Sequence, residues 1–306
     1  MNDIFYYGRH MSIKYGLLEA IKNIINLEGN CLQIFITSPL QTTISSKVIS
    51  KLYNEYKNIS EILQQKKVKL FIHSPYTYNF ARPNINNNWL NCYWIVNYLK
   101  ELEIASLINA VGCIIHVGKQ LRLTSNEAIN NMYESIRFVI QIIIKRNYSS
   151  IIILETCAGQ GTELLKTSNN SLDLFSNFYN RFTDNEKQYL KICIDTCHIF
   201  SAGYCINNYD IIIKFFNEFK AKLNINNLAL IHLNDSKKGC NSKVDRHENI
   251  GYGKIGLKYL KYFIIYAYIF KIPLILETPT IKKNEILIIK KTIQLIYNKL
   301  NKNNYH

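Results

Sequence analysis

The chain has 306 residues, of which 48% are hydrophobic and 19% are charged, and its formal net charge is +15. The apolar content excludes an intrinsically disordered chain, and only 12 glycines and 5 prolines exclude a collagen-like or low-complexity protein. The positive charge favours a polyanionic partner, nucleic acid ahead of an acidic membrane surface, although a solvated lysine-rich surface gives the same count.

Eight short apolar runs, rich in Ile, Leu, Val and aromatic residues, alternate with segments of helical periodicity along the chain. The runs predict strands over 4–10, 31–37, 68–74, 112–118, 150–156, 191–197, 228–235 and 272–278. The segments between them predict helices over 14–28, 44–66, 87–106, 125–147, 171–189, 208–223, 256–268 and 282–301. Because the runs are almost continuously apolar, they indicate parallel strands that are buried on both faces.

Eight strand–helix units predict an α/β fold of the (β/α)₈ TIM-barrel type. No linker or composition break divides the chain, so we expect one domain over 1–306, with a frayed end at 302–306. An open doubly wound sheet is the alternative. The first run ends in GRHMS, however, and lacks the glycine-rich turn of a nucleotide-binding sheet of that kind.

The chain carries no sign of export or membrane insertion. Its N-terminus lacks a basic region followed by an apolar core, and its longest apolar stretch, 262–277, is interrupted by Lys271 and Pro273. The eight cysteines form no CxxC pair, and several lie inside apolar runs, which is typical of buried free thiols in a reducing compartment. We therefore expect a soluble intracellular protein without a membrane partner, in the cytoplasm or nucleus, or in a virion if the source is viral.

Histidines and carboxylates gather at the carboxyl ends of predicted strands 3 to 8, where barrel enzymes place their catalytic groups. The nine residues are His73, His116, Glu155, Asp195, His198, His232, Asp245, His247 and Glu277. Each one alone is explained as well by a structural hydrogen bond or a helix cap. Nine such side chains in the concave carboxyl end of one barrel (the bowl), however, would repel one another and lose hydration unless cations neutralised them. Imidazole and carboxylate ligands suit Zn, Mn or Fe, and nine are enough for two or three ions.

Long motifs surround these residues. They are H-x-P-Y at 73–76, HVG at 116–118, LETCAGQG at 154–161, CIDTCHIFSAGY at 193–204, HLNDSK at 232–237, DRHENIGYG at 245–253 and LETP at 276–279. On these motifs the chain resembles endonuclease IV, the metal-dependent apurinic/apyrimidinic (AP) endonucleases of base excision repair (AP endonuclease family 2). The resemblance extends from GRHMS near the start of the chain to LETP near its end.

The resemblance implies a (β/α)₈ barrel with three Zn²⁺ ions, one of which Mn²⁺ could replace. The nine ligands then fall into three sets: His73, His116 and Glu155; Glu155, Asp195, His232 and Glu277; and His198, Asp245 and His247. Glu155 bridges two ions. Glu155 and Glu277 also hold the attacking hydroxide and are therefore the catalytic candidates.

The implied reaction is hydrolysis of the phosphodiester 5′ to an abasic site in duplex DNA, which gives a 3′-hydroxyl and a 5′-deoxyribose phosphate. Removal of 3′-blocking groups is a second implied activity. Tyr76, His10 and Arg246 are candidate DNA contacts, although each could equally be structural. Asn234 and Asp235 are candidates for orienting the ligands. We expect a monomer that binds abasic duplex DNA without an obligate protein partner.

The sequence also departs from the family pattern. Val117 replaces the usual proline of HPG, Thr156 replaces the usual asparagine after the bridging glutamate, and Asn241 replaces a glycine. The segment 37–46 lacks the basic residue that the family often inserts into DNA. Two alternatives remain: a metal-dependent sugar isomerase or epimerase, which needs fewer ligands, and a non-catalytic nucleic-acid-binding barrel, in which drift would remove some ligands.

Overall fold

The computed structural model describes residues 4–167 and 170–303. Eight parallel strands form a closed barrel: β1 (Tyr7–His10), β2 (Cys31–Phe35), β3 (Lys69–His73), β4 (Gly112–His116), β5 (Ile151–Glu155), β6 (Leu190–Asp195), β7 (Leu228–His232) and β10 (Leu274–Leu276). Two further strands, β8 (Asp235–Ser236) and β9 (His247–Glu248), form a small antiparallel pair. β1 pairs with both β2 and β10, and this closes the barrel. The predicted (β/α)₈ fold is confirmed, and the open sheet is excluded.

The helices pack around this barrel. They are α1 (Leu17–Asn26), α2 (Ser46–Gln65), α3 (Tyr93–Leu107), α4 (Ser125–Arg146), α5 (Asp173–Tyr179), α6 (Thr196–Ala202), α7 (Tyr209–Leu223), α8 (Leu257–Ile269) and α9 (Lys283–Asn303). Within the described ranges, no helix combines the length and the hydrophobicity needed to cross a membrane. α9 includes residues 302 and 303, where a frayed end is predicted, and residues 304–306 lie outside the described residues.

Two segments differ from the predicted elements. The helix predicted over 171–189 ends at Tyr179, because Thr183 and Glu186 cap each other and start a separate 3₁₀ turn, Glu186–Gln188. The strand predicted over 191–197 ends at Asp195, whose side chain caps α6 by accepting a hydrogen bond from the backbone of the third residue of that helix.

The prediction that all eight cysteines are free thiols is wrong for two of them. Cys205 and Cys240 form a disulfide, with Cα atoms 5.4 Å apart. The loop that carries Cys240 is held against α6 by backbone hydrogen bonds from Asn241 to Phe200 and from residue 243 to residue 201, and this brings the two sulfurs together. The remaining cysteines are buried and free, as predicted: Cys31, Cys92, Cys113, Cys157, Cys193 and Cys197.

Candidate metal centre

Six of the nine predicted ligands form the next layer of side chains above an apolar layer inside the barrel, towards the carboxyl ends of the strands. This layer consists of Cys31, Phe71, Ile114, Ile153, Cys193, Leu230 and Ile275, all of which are buried. Side chains alternate along a strand, so a residue two positions further on points to the same side. Six ligands stand at that spacing from members of this layer: His73, His116, Glu155, Asp195, His232 and Glu277. The alternation that fills the lower barrel therefore directs these side chains into one bowl.

The other three ligands reach the bowl from outside the barrel strands. The backbone N–H of His198 donates to Asp195 Oδ1 at 2.9 Å, which starts α6 at once after β6 and keeps His198 beside the strand end. His247 lies opposite Ser236 in the antiparallel β8–β9 pair, and this pairing brings the end of the loop 237–246 back beside the end of β7. Asp245 and His247 thereby lie beside His198.

The nine residues form three groups, and in each group one ligand atom per residue lies within 4.8 Å of the others. In the first group, His73 Nε2 and His116 Nε2 lie 3.2 and 3.1 Å from Glu155 Oε2. These groups have the same membership as the three sets that the resemblance implies. Their role as metal ligands stays a prediction.

The second group surrounds His232. Its Nδ1 lies 2.8 Å from Glu155 Oε1, 3.1 Å from Glu277 Oε2 and 3.8 Å from Asp195 Oδ2. Three carboxylates around one imidazole nitrogen leave an excess of negative charge, which a divalent cation would neutralise.

The third group centres on Asp245, whose two oxygens lie 3.3 Å from His198 Nε2 and 3.2 Å from His247 Nε2. His247 Nε2 is buried, and its 3.2 Å contact with Asp245 does not have hydrogen-bond geometry. A buried ring nitrogen that lacks a hydrogen bond is costly in a folded protein, and a bound metal ion would satisfy it.

The imidazole rings are oriented as metal ligands require. The Nδ1 atoms of His73 and His198 each lie 2.8 Å from a backbone carbonyl oxygen, and Nδ1 of His247 lies 3.2 Å from the carbonyl of Glu277. A carbonyl only accepts, so Nδ1 donates and the lone pair of Nε2 is left facing the bowl. This donor set fits divalent metal ions.

Two cysteines also approach the site, Cys193 beside Glu155 and His232, and Cys197 beside Asp195 and His247. A cysteine binds metal as the thiolate. Burial raises the pKa of both thiols to about 12, so both are protonated at neutral pH when no metal ion is bound.

The clustered groups change one another's protonation. Burial acts to raise the pKa of Glu155, but the His116 and His232 imidazoles outweigh it and hold this pKa well below its ordinary value. Burial lowers the pKa of His116 to about 4. Burial also opposes the charged form of His247, yet Asp195 and Asp245 raise its pKa to about 9. Metal ions that bound these rings would compete with protons for them, so their affinity would depend on pH.

Side chains outside the nine fix the ligands in place. Asn234 Nδ2 donates to Asp195 Oδ2 at 2.6 Å, and Asn234 Oδ1 accepts from the backbone N–H of Glu277 at 2.8 Å. The structure thus gives Asn234 the orienting role that its sequence position suggests. Asp235 does not share this role: both its oxygens accept backbone N–H groups between 251 and 256, because its side chain points into that loop.

Gln33 is a further residue of the site, and sequence reasoning missed it. Its Nε2 donates to Glu277 Oε1 at 2.6 Å, and its Oε1 lies 2.7 Å from His232 Nε2, from which it accepts. The signal in the sequence is one amide inside the apolar run CLQIFIT, two positions after Cys31 of the apolar layer.

The predicted DNA contacts occupy different positions. Tyr76 is 53% exposed, and its ring centroid lies 5.8 Å from that of His73 and 5.4 Å from that of His116, at the rim of the bowl. Arg246 is exposed and lies between the candidate ligands Asp245 and His247 in the sequence. His10 is partly buried, with Nδ1 3.1 Å from Gln33 Nε2, and burial lowers its pKa to about 4.

Comparison with known proteins agrees with the fold and with the family that the motifs indicate. A family model described as a xylose isomerase-like TIM barrel matches residues 27–299, so the chain belongs to this class of barrel proteins. An endonuclease 4 relative from Acanthamoeba polyphaga mimivirus is 34% identical over 277 residues, which are 89% of this chain and 85% of that protein. The chain belongs to the endonuclease IV family, as its motifs predict.

Solved structures agree on the fold. The crystal structure of endonuclease IV from Thermus thermophilus matches with a TM-score of 0.70 at 21% identity, over 96% of this chain and 99% of that one. A D-tagatose 3-epimerase-like protein matches with a TM-score of 0.68 at 17% identity, over 96% and 99% of the two chains. At such identities the likeness concerns the barrel alone and does not separate a nuclease from an epimerase.

Proposed function

We propose that this chain is a metal-dependent AP endonuclease of base excision repair. It hydrolyses the phosphodiester 5′ to an abasic site in duplex DNA, leaves a 3′-hydroxyl and a 5′-deoxyribose phosphate, and also removes 3′-blocking groups. The observation that supports this proposal is the overlap of three His and carboxylate groups in one bowl, in a member of the endonuclease IV family. A sugar isomerase or epimerase does not need nine ligands.

The nine residues would hold three Zn²⁺ ions, or two with Mn²⁺ at the remaining position. When bound, such ions neutralise phosphate oxygens and lower the pKa of water. The chain supplies positioning and proton transfer. Glu155 is fully buried and contacts imidazoles of two ligand groups, so it would be the ligand that those two groups share. Glu277 is 14% exposed, and Gln33 occupies its Oε1, so Oε2 is the oxygen that would accept the proton of the attacking water.

The rim residues would hold the DNA. Tyr76 presents an exposed ring above the first ligand group, where it can stack against the sugar or base beside the abasic nucleotide. Arg246 would contact a phosphate, and His10, which lines a cavity beside the loop after β2, is the third contact. Flipping an abasic nucleotide costs little because its stacking is already lost. We propose a monomeric intracellular enzyme.

Incision of a duplex with one abasic analogue tests this proposal. The metal-loaded protein should cut the strand once, 5′ to the analogue, and lose this activity after prolonged treatment with a strong chelator. An uncut duplex in the presence of fully metallated protein overturns the proposed function. Metal analysis that finds fewer than two ions per chain overturns the trinuclear site.

Substitution of Glu155 tests the ligand assignment separately. Glu155→Ala removes a carboxylate that belongs to two ligand groups, so bound metal and incision should be lost together. Glu134→Ala is the control, because its side chain is 56% exposed on α4 and should leave both unchanged. Cleavage that survives in Glu155→Ala would mean that the ligand assignment is wrong.

A further inference from the structure

A second cavity, of about 570 Å³, lies outside the metal centre, between the loops that follow β3 and β4. Arg82 and Trp94 contribute to its wall from one side, and Lys119 and Arg122 from the other, with apolar surface from residues such as Leu121. Neither the mechanism nor the predicted DNA contacts use any of these side chains.

Two buried hydrogen-bond donors at this cavity have no partner among the described residues. They are Nε of Arg82 and Nε1 of Trp94, a side chain that is only 3% exposed. The Arg82 guanidinium lies over the Trp94 ring, 5.6 Å from its centroid. Both groups only donate, and buried donors without acceptors are unfavourable. Both residues line the cavity, so a ligand with acceptor oxygens that binds there would be the nearest source of partners for the two donors.

The charge at the cavity is positive. Its lining includes Arg82, Lys119 and Arg122 and no acidic residue. In the described part of the chain, Arg82 and Arg122 form no ion pair, and Lys119 Nζ lies 3.9 Å from Glu163 Oε1, at the outer limit for an ion pair. Two guanidinium groups that lack carboxylate partners are suited to the oxygens of a phosphate.

The two loops hold these cations in fixed positions. Asn79 Oδ1 accepts from the backbone N–H groups of Lys119 at 2.9 Å and Ala81 at 3.1 Å, and Asn79 Nδ2 donates to Lys119 O at 2.9 Å. A Cβ at Gly118 would lie 2.5 Å from the Ala81 Cβ, so the close approach of the loops requires glycine there. Because Lys119 follows His116 by three residues, their Cα atoms are at most roughly 11 Å apart.

We propose that this cavity binds a phosphate ester whose sugar or base packs on the apolar wall. The first source is a backbone phosphate of the DNA strand that lies across the metal centre, and the second is a free nucleotide. The assignment of DNA as the source rests on the proposed function, whereas the phosphate site itself does not. The cavity would thus add contacts that neutralise the substrate next to the site of incision.

The test compares Arg82→Gln and Arg122→Gln with Arg146→Gln, which removes the same charge at the last residue of α4. On an abasic-analogue duplex, each cavity variant should raise KM about tenfold with kcat unchanged. The slope of log kcat/KM against log salt should become shallower by about one for each arginine removed. Arg146→Gln should match the wild type in KM and in the salt slope.

A second measurement does not need the nuclease activity. Titration with dAMP should change the fluorescence of the wild type, because Trp94 is one of only two tryptophans, and the change should be lost in the cavity variants. A dAMP response with unchanged duplex kinetics overturns DNA as the source and supports a free nucleotide. If the wild type does not incise DNA, the proposed function fails, but the dAMP titration still tests the cavity.

The phosphate site is overturned if the cavity variants equal Arg146→Gln in duplex kinetics and in the dAMP titration. Arg122 is exposed, so Arg122→Gln keeps the test valid even if Arg82→Gln disturbs packing on Trp94.

Discussion

A single buried amide, Gln33, connects the two sides of the candidate metal centre. Its N–H group donates to Glu277, while its oxygen accepts from His232 and thereby leaves Nδ1 of that ring free to bind metal. Gln33 is fully buried, so water does not replace these contacts when the amide is removed. Partners of this kind fix the tautomer and direction of metal-binding imidazoles.

Replacement of this amide should weaken metal binding without unfolding the chain. Gln33→Leu keeps the approximate volume but removes the hydrogen bonds of Glu277 Oε1 and His232 Nε2, so we expect metal affinity to fall about 10- to 100-fold. Competition with a chromogenic chelator measures the affinity. Gln64→Leu, at an exposed position of α2, is the matched control. Equal affinities in both variants would assign Gln33 a packing role only.

The gathering of the nine candidate ligands could be predicted from the sequence, but the side chains that orient them could be predicted only in part. Each ligand at a strand end follows an apolar residue by two positions, as His73 follows Phe71, and this pattern is local. Gln33 follows Cys31 of the same layer by two positions as well, but its two partners lie about 200 residues or more away in sequence. Such a contact depends on barrel closure, which no local pattern records.

At the scale of elements, a buried carboxylate joins α3 to the end of β3. Glu101 is fully buried and accepts hydrogen bonds from the hydroxyls of Ser74 and Tyr78. Burial raises the pKa of Glu101 to about 8, and the two hydroxyls only partly offset this effect. The folded protein therefore holds a proton here that the unfolded chain releases above its ordinary pKa of about 4.5.

The sign of the pH dependence follows from this difference. Between pH 4.5 and 8 the unfolded chain loses the Glu101 proton while the folded protein retains it, so stability falls as pH rises and levels off above 8. Glu101→Gln should remove this fall in the free energy of unfolding, which is on the order of a few kcal/mol. The variant should therefore be more stable than the wild type at pH 9 but not at pH 5. Urea unfolding at both pH values measures the difference.

Glu103→Gln, a partly exposed position on the same helix, serves as the control and should show the pH dependence of the wild type. A wild-type stability that rises between pH 5 and 9 relative to Glu101→Gln would contradict the assignment of a buried neutral carboxyl.

Most elements could be predicted because each apolar run and each helical segment is a local pattern. The exceptions arise where one side chain ends an element. Asp195 resembles an ordinary strand residue in KICIDTC, yet its carboxylate caps α6 and shortens the strand. The β8–β9 pair is only two residues long on each side, and Asp235 fixes its loop through backbone contacts that leave no periodic signal.

At the scale of the whole molecule, the disulfide and the candidate metal centre involve the same part of the chain. Cys240 lies five residues before Asp245, and its bond to Cys205 ties that loop to the segment after α6, which carries His198. The sequence did not predict this pair, because 35 residues separate the two cysteines and tertiary packing alone brings them together. Candidate ligands from the ends of six barrel strands, from α6 and from this loop meet in one bowl, so metal binding should stabilise the molecule as a unit.

Metal removal should therefore lower the melting temperature of the entire chain in one transition. Each ion that binds only the folded state at a concentration of 100 Kd adds about 2.7 kcal/mol, and three ions should raise Tm by on the order of 10 °C. Differential scanning calorimetry of the protein before and after chelation measures this shift, and added Zn²⁺ should reverse it. Mg²⁺, which prefers an all-oxygen shell, should restore little. A Tm that does not change on chelation would contradict a metal centre built from nine residues, because the carboxylates around His232 would then tolerate one another without cations.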